Sequence, residues 1–530
     1  MTAPHRGSQR EGAPVTKAHL RALAPPPAGA HDLARALAQG GDDRLRLQGS
    51  PARNAYGCTP RPDPGLLALG SCTASVVSPA GFAAASWLHD RAGLDDAAWR
   101  REARRLRHAL AASLGLADDD GLVLAASGTD VHLIAQTLAG GTDGRALPVV
   151  MAEPAETGSG VPQAVQGCHF NPHTALGRSA QPGQPLAATA AHPLSPITLR
   201  QPDGQPRALA EVDAQAQALV AQAMDAAGRC LLVLTDLSKT GLLAPSPGCV
   251  AALRQRHGSR LTVLVDACQL RLSAASLRDH LAQGWWVAVT GSKFIGGPTF
   301  CGALLLPADT SPALADRPLR ALAGHSTRAD CPAHWAAARA LSDVPNRGLL
   351  LRWQAALADL QAFARVPQTD VAALLRRFGH AVAARLADDP VFQPLATPPP
   401  ARGPIGSADS WDRLPSVFSF GLRPAGPGGL TLDLAACRAV HQALQQPLTR
   451  RLGGPAGTVG AIDRRRYQLG QPVACGDSTH GLAVLRLCIG ARQVIEVADG
   501  GASATERLID SALGALDKAA LLARSAVPAR

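Results

Sequence analysis

The sequence predicts an α/β protein whose ligand edge lies at the carboxyl ends of its strands, and two neighbouring stretches carry that prediction. Leu261-Thr-Val-Leu-Val-Asp266 is a β-branched apolar run that ends in a carboxylate. Downstream, Val287–Val289 and Gly302–Leu306 read as two further short buried strands. The interval between Asp266 and Val287 holds one helix, expected over about Ala274 to Ala282, so successive strands here belong to a parallel sheet. In open sheets of that kind ligands bind outside the carboxyl ends of the strands.

The loop between the last two strands holds one lysine, Lys293, hemmed by Thr290, Gly291, Ser292, Gly296, Gly297 and Pro298. At the mouth of an apolar strand, desolvation favours the neutral amine that forms a Schiff base. Lys293 follows Asp266 by 27 positions, which places a carboxylate and an amine at one sheet edge. A carboxylate facing a pyridine nitrogen and a lysine facing an aldehyde are the two groups that pyridoxal phosphate (PLP) requires. Thr290-Gly-Ser-Lys-x-x-Gly-Gly-Pro-x-x-Cys-Gly-Ala303, following Asp266-Ala-Cys-Gln269, resembles the fold-type I PLP enzymes. The nearest branch is the class V aminotransferase and cysteine desulfurase group, and the resemblance spans roughly residues 120 to 310. It implies a large domain around a mixed seven-stranded sheet with helices on both faces, a small C-terminal α+β domain, PLP as cofactor and a homodimer. Ser292 departs from the pattern, standing where that group carries a histidine.

Taken in order, residues 1–50 are rich in proline, glycine, alanine and charge and read as a disordered segment with one short helix near His31 to Ala38. Residues 51–95 form a proline- and glycine-punctuated arm. The PLP-binding domain is expected over 96–330. Its first helix, Asp95 to Leu116, sets Trp99, Ala103, Leu106, Leu110 and Leu114 on one face. Gly121 to Ala126 then reads as a strand leading into Ser127-Gly128-Thr129-Asp130 and an apolar helix. A helix N-terminus with small residues binds phosphate through free backbone N–H groups, and the resemblance assigns Ser127, Gly128 and Thr129 to the cofactor phosphate.

Leu147 to Met151 is the next strand, and it enters the bend Glu153-Pro-Ala-Glu156-Thr157-Gly-Ser-Gly160. The resembling family stacks a residue on the cofactor ring from this region. The bend holds no histidine or aromatic, which leaves Thr157 or Glu156 to face the ring. Residues 171–210 read as a proline-rich surface insertion. Cys230 to Thr235 is a strand ending in Asp236-Leu-Ser238-Lys239-Thr-Gly241, and the resemblance puts Ser238 and Gln269 on the ring hydroxyl. Lys239 is a rival for the Schiff-base role. Lys293 is preferred because only it follows the Asp266 strand by one more helix and strand; Lys239 reads as a surface turn residue.

Residues 331–396 are connecting helices, at Trp335 to Leu341 and Leu349 to Leu386, and 397–530 form the small domain. Its elements are strands at Ser416 to Gly421 and Ala483 to Ile489, a helix at Asp433 to Gln445 and a last helix at Thr505 to Leu522. Arg486 alternates with apolar neighbours in the second of these strands, which sets it either on the solvent side or inward, where a guanidinium needs an anionic partner. The resemblance makes that partner the substrate carboxylate.

Composition narrows the classes. The net charge of +11 is dispersed among 41 acidic residues, and the densest basic runs, Arg100 to Arg107 and Arg464 to Arg466, lack interleaved aromatics. No nucleic-acid partner is therefore expected. No apolar run reaches the ~18 residues of a membrane span, and no secretory h-region opens the chain. Eleven cysteines at irregular spacings, without Cys-x-x-Cys, suit reduced thiols in the cytoplasm and offer no metal-site pattern.

The function expected is PLP-dependent chemistry on an amino acid or related amine, with amino-group transfer first. A lyase or cysteine desulfurase is the alternative, and its nucleophile would be Cys475 in Val-Ala-Cys475-Gly-Asp-Ser. The third reading is a catalytically degenerate scaffold, suggested by the missing histidines.

Overall fold

A computed structural model describes residues 30–93, 95–140, 144–186, 191–448, 464–476 and 482–525. Its large sheet runs in the spatial order Leu122–Ala125, Gly302–Leu305, Trp286–Thr290, Leu261–Ala267, Cys230–Asp236, Val149–Ala152 and Leu194–Ile197. A two-residue strand, Leu243–Ala244, folds back on Cys230–Asp236. Gly302–Leu305 is antiparallel to both neighbours, and every other adjacent pair on that path is parallel. The path is the mixed seven-stranded sheet that the resemblance implies, with Leu243–Ala244 as an eighth short strand beside it.

The strands read as unbroken apolar runs because both faces of the sheet are buried. Alternate side chains feed two cores. Leu122, Leu124, Leu232, Leu234, Val263 and Val265 join one. Val123, Ala125, Leu231, Val233 and Leu264 join the other. Helices seal each face: Gly128–Gly140 supplies Leu133 and Ile134 to the second core, while Leu209–Ala227 and Arg347–Ala364 supply Val220 and Leu350 to the first. The Asp96–Ser113 helix starts where Asp95 accepts the N–H groups of Ala97 and Ala98, and it buries Trp99, Ala103, Leu106 and Leu110.

The small sheet has the order Leu66–Leu69, Arg466–Ala474, Ala483–Cys488, Val417–Leu422 and Phe392–Pro394. It is tied to the large domain by buried arginines. Arg402 donates to both carboxylate oxygens of Asp236, at 2.9 Å from Nε to Oδ2. Arg271 reaches Ser416 Oγ at 2.9 Å, the Ile489 carbonyl at 2.8 Å and Ser71 Oγ at 2.8 Å.

Four expectations need correction. The short helix expected near His31 to Ala38 is present as Ala30–Leu37, but the stretch after it, read as disordered, holds a 3-10 turn, Asp43–Leu45; residues 1–29 lie outside the described residues. Leu33, Leu37 and Leu45 are buried, and Arg352 donates to the carbonyls of Leu37 (3.0 Å) and Gly40 (2.7 Å), so tertiary contacts order what composition left unsupported. Leu66–Leu69, inside the arm, pairs in parallel with Arg466–Leu469 of the same chain. Leu194–Ile197, inside the supposed insertion, is the edge strand of the large sheet, a position where Pro196 costs no ladder hydrogen bond. The expected Leu349–Leu386 helix is two, Arg347–Ala364 and Gln368–Asp388, parted at Pro367, and Ala336–Ala340 is 3-10 rather than α.

Candidate active site

Where the strand ends of the large sheet face the small domain lies a cavity of about 340 Å³. Its wall brings together Ser127, Gly128, Thr129, Asp266, Thr290, Ser292, Lys293 and Arg486, drawn from four separate regions of the chain. Thr157, Ser238 and Gln269 are not on it.

The first part of the wall is the start of the Gly128–Gly140 helix. Ser127 Oγ donates to Asp130 Oδ2 at 2.6 Å and accepts from the Asp130 N–H at 3.2 Å, closing the first turn. Gly128 has no room for a side chain: a Cβ would lie 2.9 Å from Cys268 Sγ and 3.1 Å from Thr290 Cγ2. Arg44 arrives from the N-terminal segment, its guanidinium 3.2 Å from Ser127 Oγ and 3.4 Å from Thr129 Oγ1. Arg44 is paired with Asp42 at 2.5 Å and lies over the Phe300 ring, 4.7 Å from its centroid. A helix N-terminus, two hydroxyls and a guanidinium together make an anion cradle. Gly128→Ala forces Cys268 or Thr290 aside, and we expect at least about a tenfold loss of affinity for a phosphate-bearing ligand, measured by titration of the purified protein.

Asp266 closes the second part. Its Oδ1 accepts from the Cys268 N–H at 3.1 Å, and its Oδ2 faces His132 Nε2 at 3.3 Å, an ion-pair distance without hydrogen-bond alignment. His132 Nδ1 donates to the Gly128 carbonyl at 2.7 Å, leaving Nε2 toward the carboxylate. Burial by itself would push Asp266 up. His132, Lys293 and the Cys268 side chain more than reverse this and hold the carboxyl well below its usual range. Burial likewise works against the charged form of His132, and Asp266 overrides it, so the imidazole is raised above its ordinary value. His132, Asp266 and Cys268 also bring metal-ligand atoms within 4.8 Å of one another. Burial pushes the Cys268 thiol well up, and the other two already form an ion pair, which makes a metal the poorer reading.

The third part is the Lys293 loop, packed hard on the Arg347–Ala364 helix. Cβ atoms at Gly291 and Gly297 would lie 2.6 and 2.5 Å from Ala356 Cβ, so glycine at both lets the loop reach its place. Thr290 Oγ1 donates to the Cys268 carbonyl at 2.6 Å, joining the two strand ends. Lys293 is half-buried, and among the described residues its amine makes no hydrogen bond or ion pair. Ser292 Oγ is fully buried and has no hydrogen-bond partner.

No protein-family model matches the chain, and no curated protein does. Solved structures match it in three dimensions. One is a C-DES mutant with glycine covalently linked to the PLP cofactor, at TM-score 0.50 and 16% identity over 85% of this chain and 97% of that one. Another is a NifS-like protein, at TM-score 0.50 and 11% identity over 85% and 99%. The fold is that of the fold-type I PLP-dependent enzymes. At such identities the likeness concerns the fold, and the site must be argued from its own residues.

On that frame four residues do not take the place expected of them. Ser238 Oγ donates to Glu156 Oε2 at 2.7 Å and accepts from the Leu242 N–H at 3.1 Å, so it is spent on its own turn. Glu156 is occupied by Arg200, Ser238 and Thr240 and does not face the cavity. Thr157 is buried with its hydroxyl toward the Pro154 carbonyl, and its neighbours Gly158 and Ser159 line the wall instead. Gln269 Nε2 donates to the Cys72 carbonyl at 3.0 Å, which fastens the arm beside the cavity rather than contacting what lies within.

Lys239, expected on the surface, lies on the cavity wall, half-buried. Burial first, and then Arg486, brings its ammonium down to about 8. Arg486 points inward, the side the resemblance implies. It donates to the Lys239 carbonyl and Thr73 Oγ1 at 3.1 Å each and to the Gln471 carbonyl, while its buried Nε has no partner.

Sequence reasoning missed Arg44, His132 and Lys239 as wall residues. His132 left a signal, a polar ring inside the apolar run Val131 to Ile134 directly after the small-residue turn. Arg44 left none, since the cradle hydroxyls it reaches are more than 80 positions away.

Proposed function

We propose that the chain is a PLP-dependent enzyme acting on an amino acid, with amino-group transfer as its reaction, and that it works as a cytoplasmic homodimer. The observation that carries this is the unpaired Lys293 amine in one cavity with the Asp266–His132 pair and the Ser127–Gly128–Thr129 cradle. The residues fit the cofactor. The missing Cβ at Gly128 leaves backbone N–H groups open to a phosphate, and the unpartnered Ser292 hydroxyl awaits an acceptor or donor. The eleven unpaired, buried cysteines support the reducing compartment. No helix among the described residues is long and apolar enough to cross a membrane.

Ser127, Thr129, Arg44 and the helix N-terminus would hold the phosphate, Asp266 the pyridine nitrogen, and Lys293 the aldehyde carbon. Bound there, PLP supplies a sink for the electrons of a bond broken at the substrate Cα. Asp266, kept charged by His132, holds a proton on the ring nitrogen. Arg486 takes the substrate carboxylate in its guanidinium fork and fixes which Cα bond faces the lysine. Lys293, an amine on the wall that makes no hydrogen bond among the described residues, would carry the proton to and from Cα. The small domain contributes Arg438, Gln471, Pro472, Val473 and Arg486 to the cavity wall.

The test is borohydride reduction of the yellow purified protein and peptide mapping. The reading requires the adduct on Lys293; no bound PLP, or an adduct on Lys239, sinks it. A donor converted to its keto acid in an amount stoichiometric with protein, without acceptor, marks transfer. Repeated release of ammonia or sulfide marks the lyase instead. Sedimentation then reads the dimer.

Cys475, the nucleophile the desulfurase alternative would need, is buried against Leu395, Leu482 and Val484, and burial pushes its thiol up to about 11. We therefore expect Cys475→Ser to leave turnover within about twofold of the unchanged protein. Arg486→Lys keeps the charge and loses the fork. Charge-assisted hydrogen bonds of roughly 1.5–3 kcal/mol translate to a ~10- to 150-fold rise in apparent KM for the donor.

A further inference from the structure

The charge in the cavity is lopsided. Lys239 and Arg486 both face it, and neither makes an ion pair with a described residue. The carboxylate nearest to Lys239, Glu156, is already held by Arg200, Ser238 and Thr240. Asp266, the carboxylate on the wall, is matched by His132, and the Cys72 thiol, brought down to about 5 against its burial by Cys488, Arg486 and Arg271, is shared between two guanidiniums. Lys293, reserved for the chemistry, and Arg438 at the exposed rim add two more basic side chains to the same wall.

A buried guanidinium with an unpartnered Nε and a half-buried ammonium beside it are stable only with compensating negative charge. A phosphate in the Ser127 cradle does not supply it there, because that cradle has its own guanidinium in Arg44. An amino acid with a single carboxylate would satisfy Arg486 and leave Lys239 unmatched. We infer that the amino substrate carries two anionic groups, the first taken by Arg486 and the second, a carboxylate or a phospho group, by Lys239. This rests on the reading of the cavity as an amino-acid site. It makes Lys239 the residue that sets specificity, separate from the chemistry at Lys293.

The two claims fail differently in one experiment. Calorimetry on the protein as purified uses three amine-free probes of similar length: butyrate, succinate and 3-phosphonopropionate. Both dianions should bind at least about ten times tighter than butyrate, the size of one charge-assisted contact. Lys239→Met should narrow the ratio to under about threefold with circular dichroism unchanged, and Lys239→Arg should keep it. The tighter of the two dianions identifies the second group. Equal affinity for all three probes in the unchanged protein overturns the inference. So does a Lys239→Met variant that loses butyrate and dianions by the same factor. Absence of PLP would overturn the enzymatic reading alone, since none of the probes needs the cofactor to bind.

Discussion

Lys293→Ala is expected to stop turnover, with a loss of about 10⁴-fold or more, because the same side chain both anchors the cofactor and moves the proton at Cα. Binding of PLP should survive more weakly, since Ser127, Thr129 and Arg44 still hold its phosphate. The measurement is paired: single-turnover rates with an amino donor, and borohydride fixation, which should fall to background in the variant. Lys293→Arg should not rescue either readout, because a guanidinium stays protonated and cannot serve as a nucleophilic amine. A variant that still fixes cofactor would transfer the anchoring role to Lys239, the other lysine on the wall. Retained PLP binding alongside lost fixation is the telling combination, because a merely unfolded variant would fail to bind PLP at all.

The second large effect is at Asp266. Asp266→Asn keeps the shape and removes the charge, so we expect PLP uptake to persist with turnover lower by ~10²–10³ or more. Near-normal turnover would end the assignment. The variant also strips His132 of the partner that raises it, which gives a signature in stability. Asp266 is depressed in the folded state, so its contribution is present above the unfolded value of about 3.9 and fades as pH falls through the folded one. His132 is raised, so its contribution is complete below about 6.5 and is lost as pH rises through its folded value. The stability deficit of Asp266→Asn should therefore be greatest between about pH 4 and 6.5 and shrink on both sides. Denaturant midpoints at three pH values read it directly.

What was legible in the sequence was local. The Asp266 strand, the Lys293 loop with its glycines, and the helix after Ser127 are each specified by residues within about ten positions of one another. Runs of Val, Ile and Leu, a small-residue turn and a lysine at a strand mouth need no distant partner to be recognised. The direction of Arg486 was only half readable, because alternation along a strand separates two faces without saying which of them is buried. Ser238 and Gln269 were assigned by analogy of position, and there the tertiary structure decided otherwise. Glu156, 82 residues before Ser238, captures its hydroxyl, and the Cys72 carbonyl, 197 residues before Gln269, captures its amide. The arrival of Arg44 at the phosphate cradle, the pairing of His132 with Asp266 and the turn of Lys239 into the cavity likewise depend on sheet order and on the docking of the small domain. A polar side chain takes whichever partner the fold brings within about 3 Å, and for these residues that partner is set by the packing of distant segments rather than by neighbours in the chain.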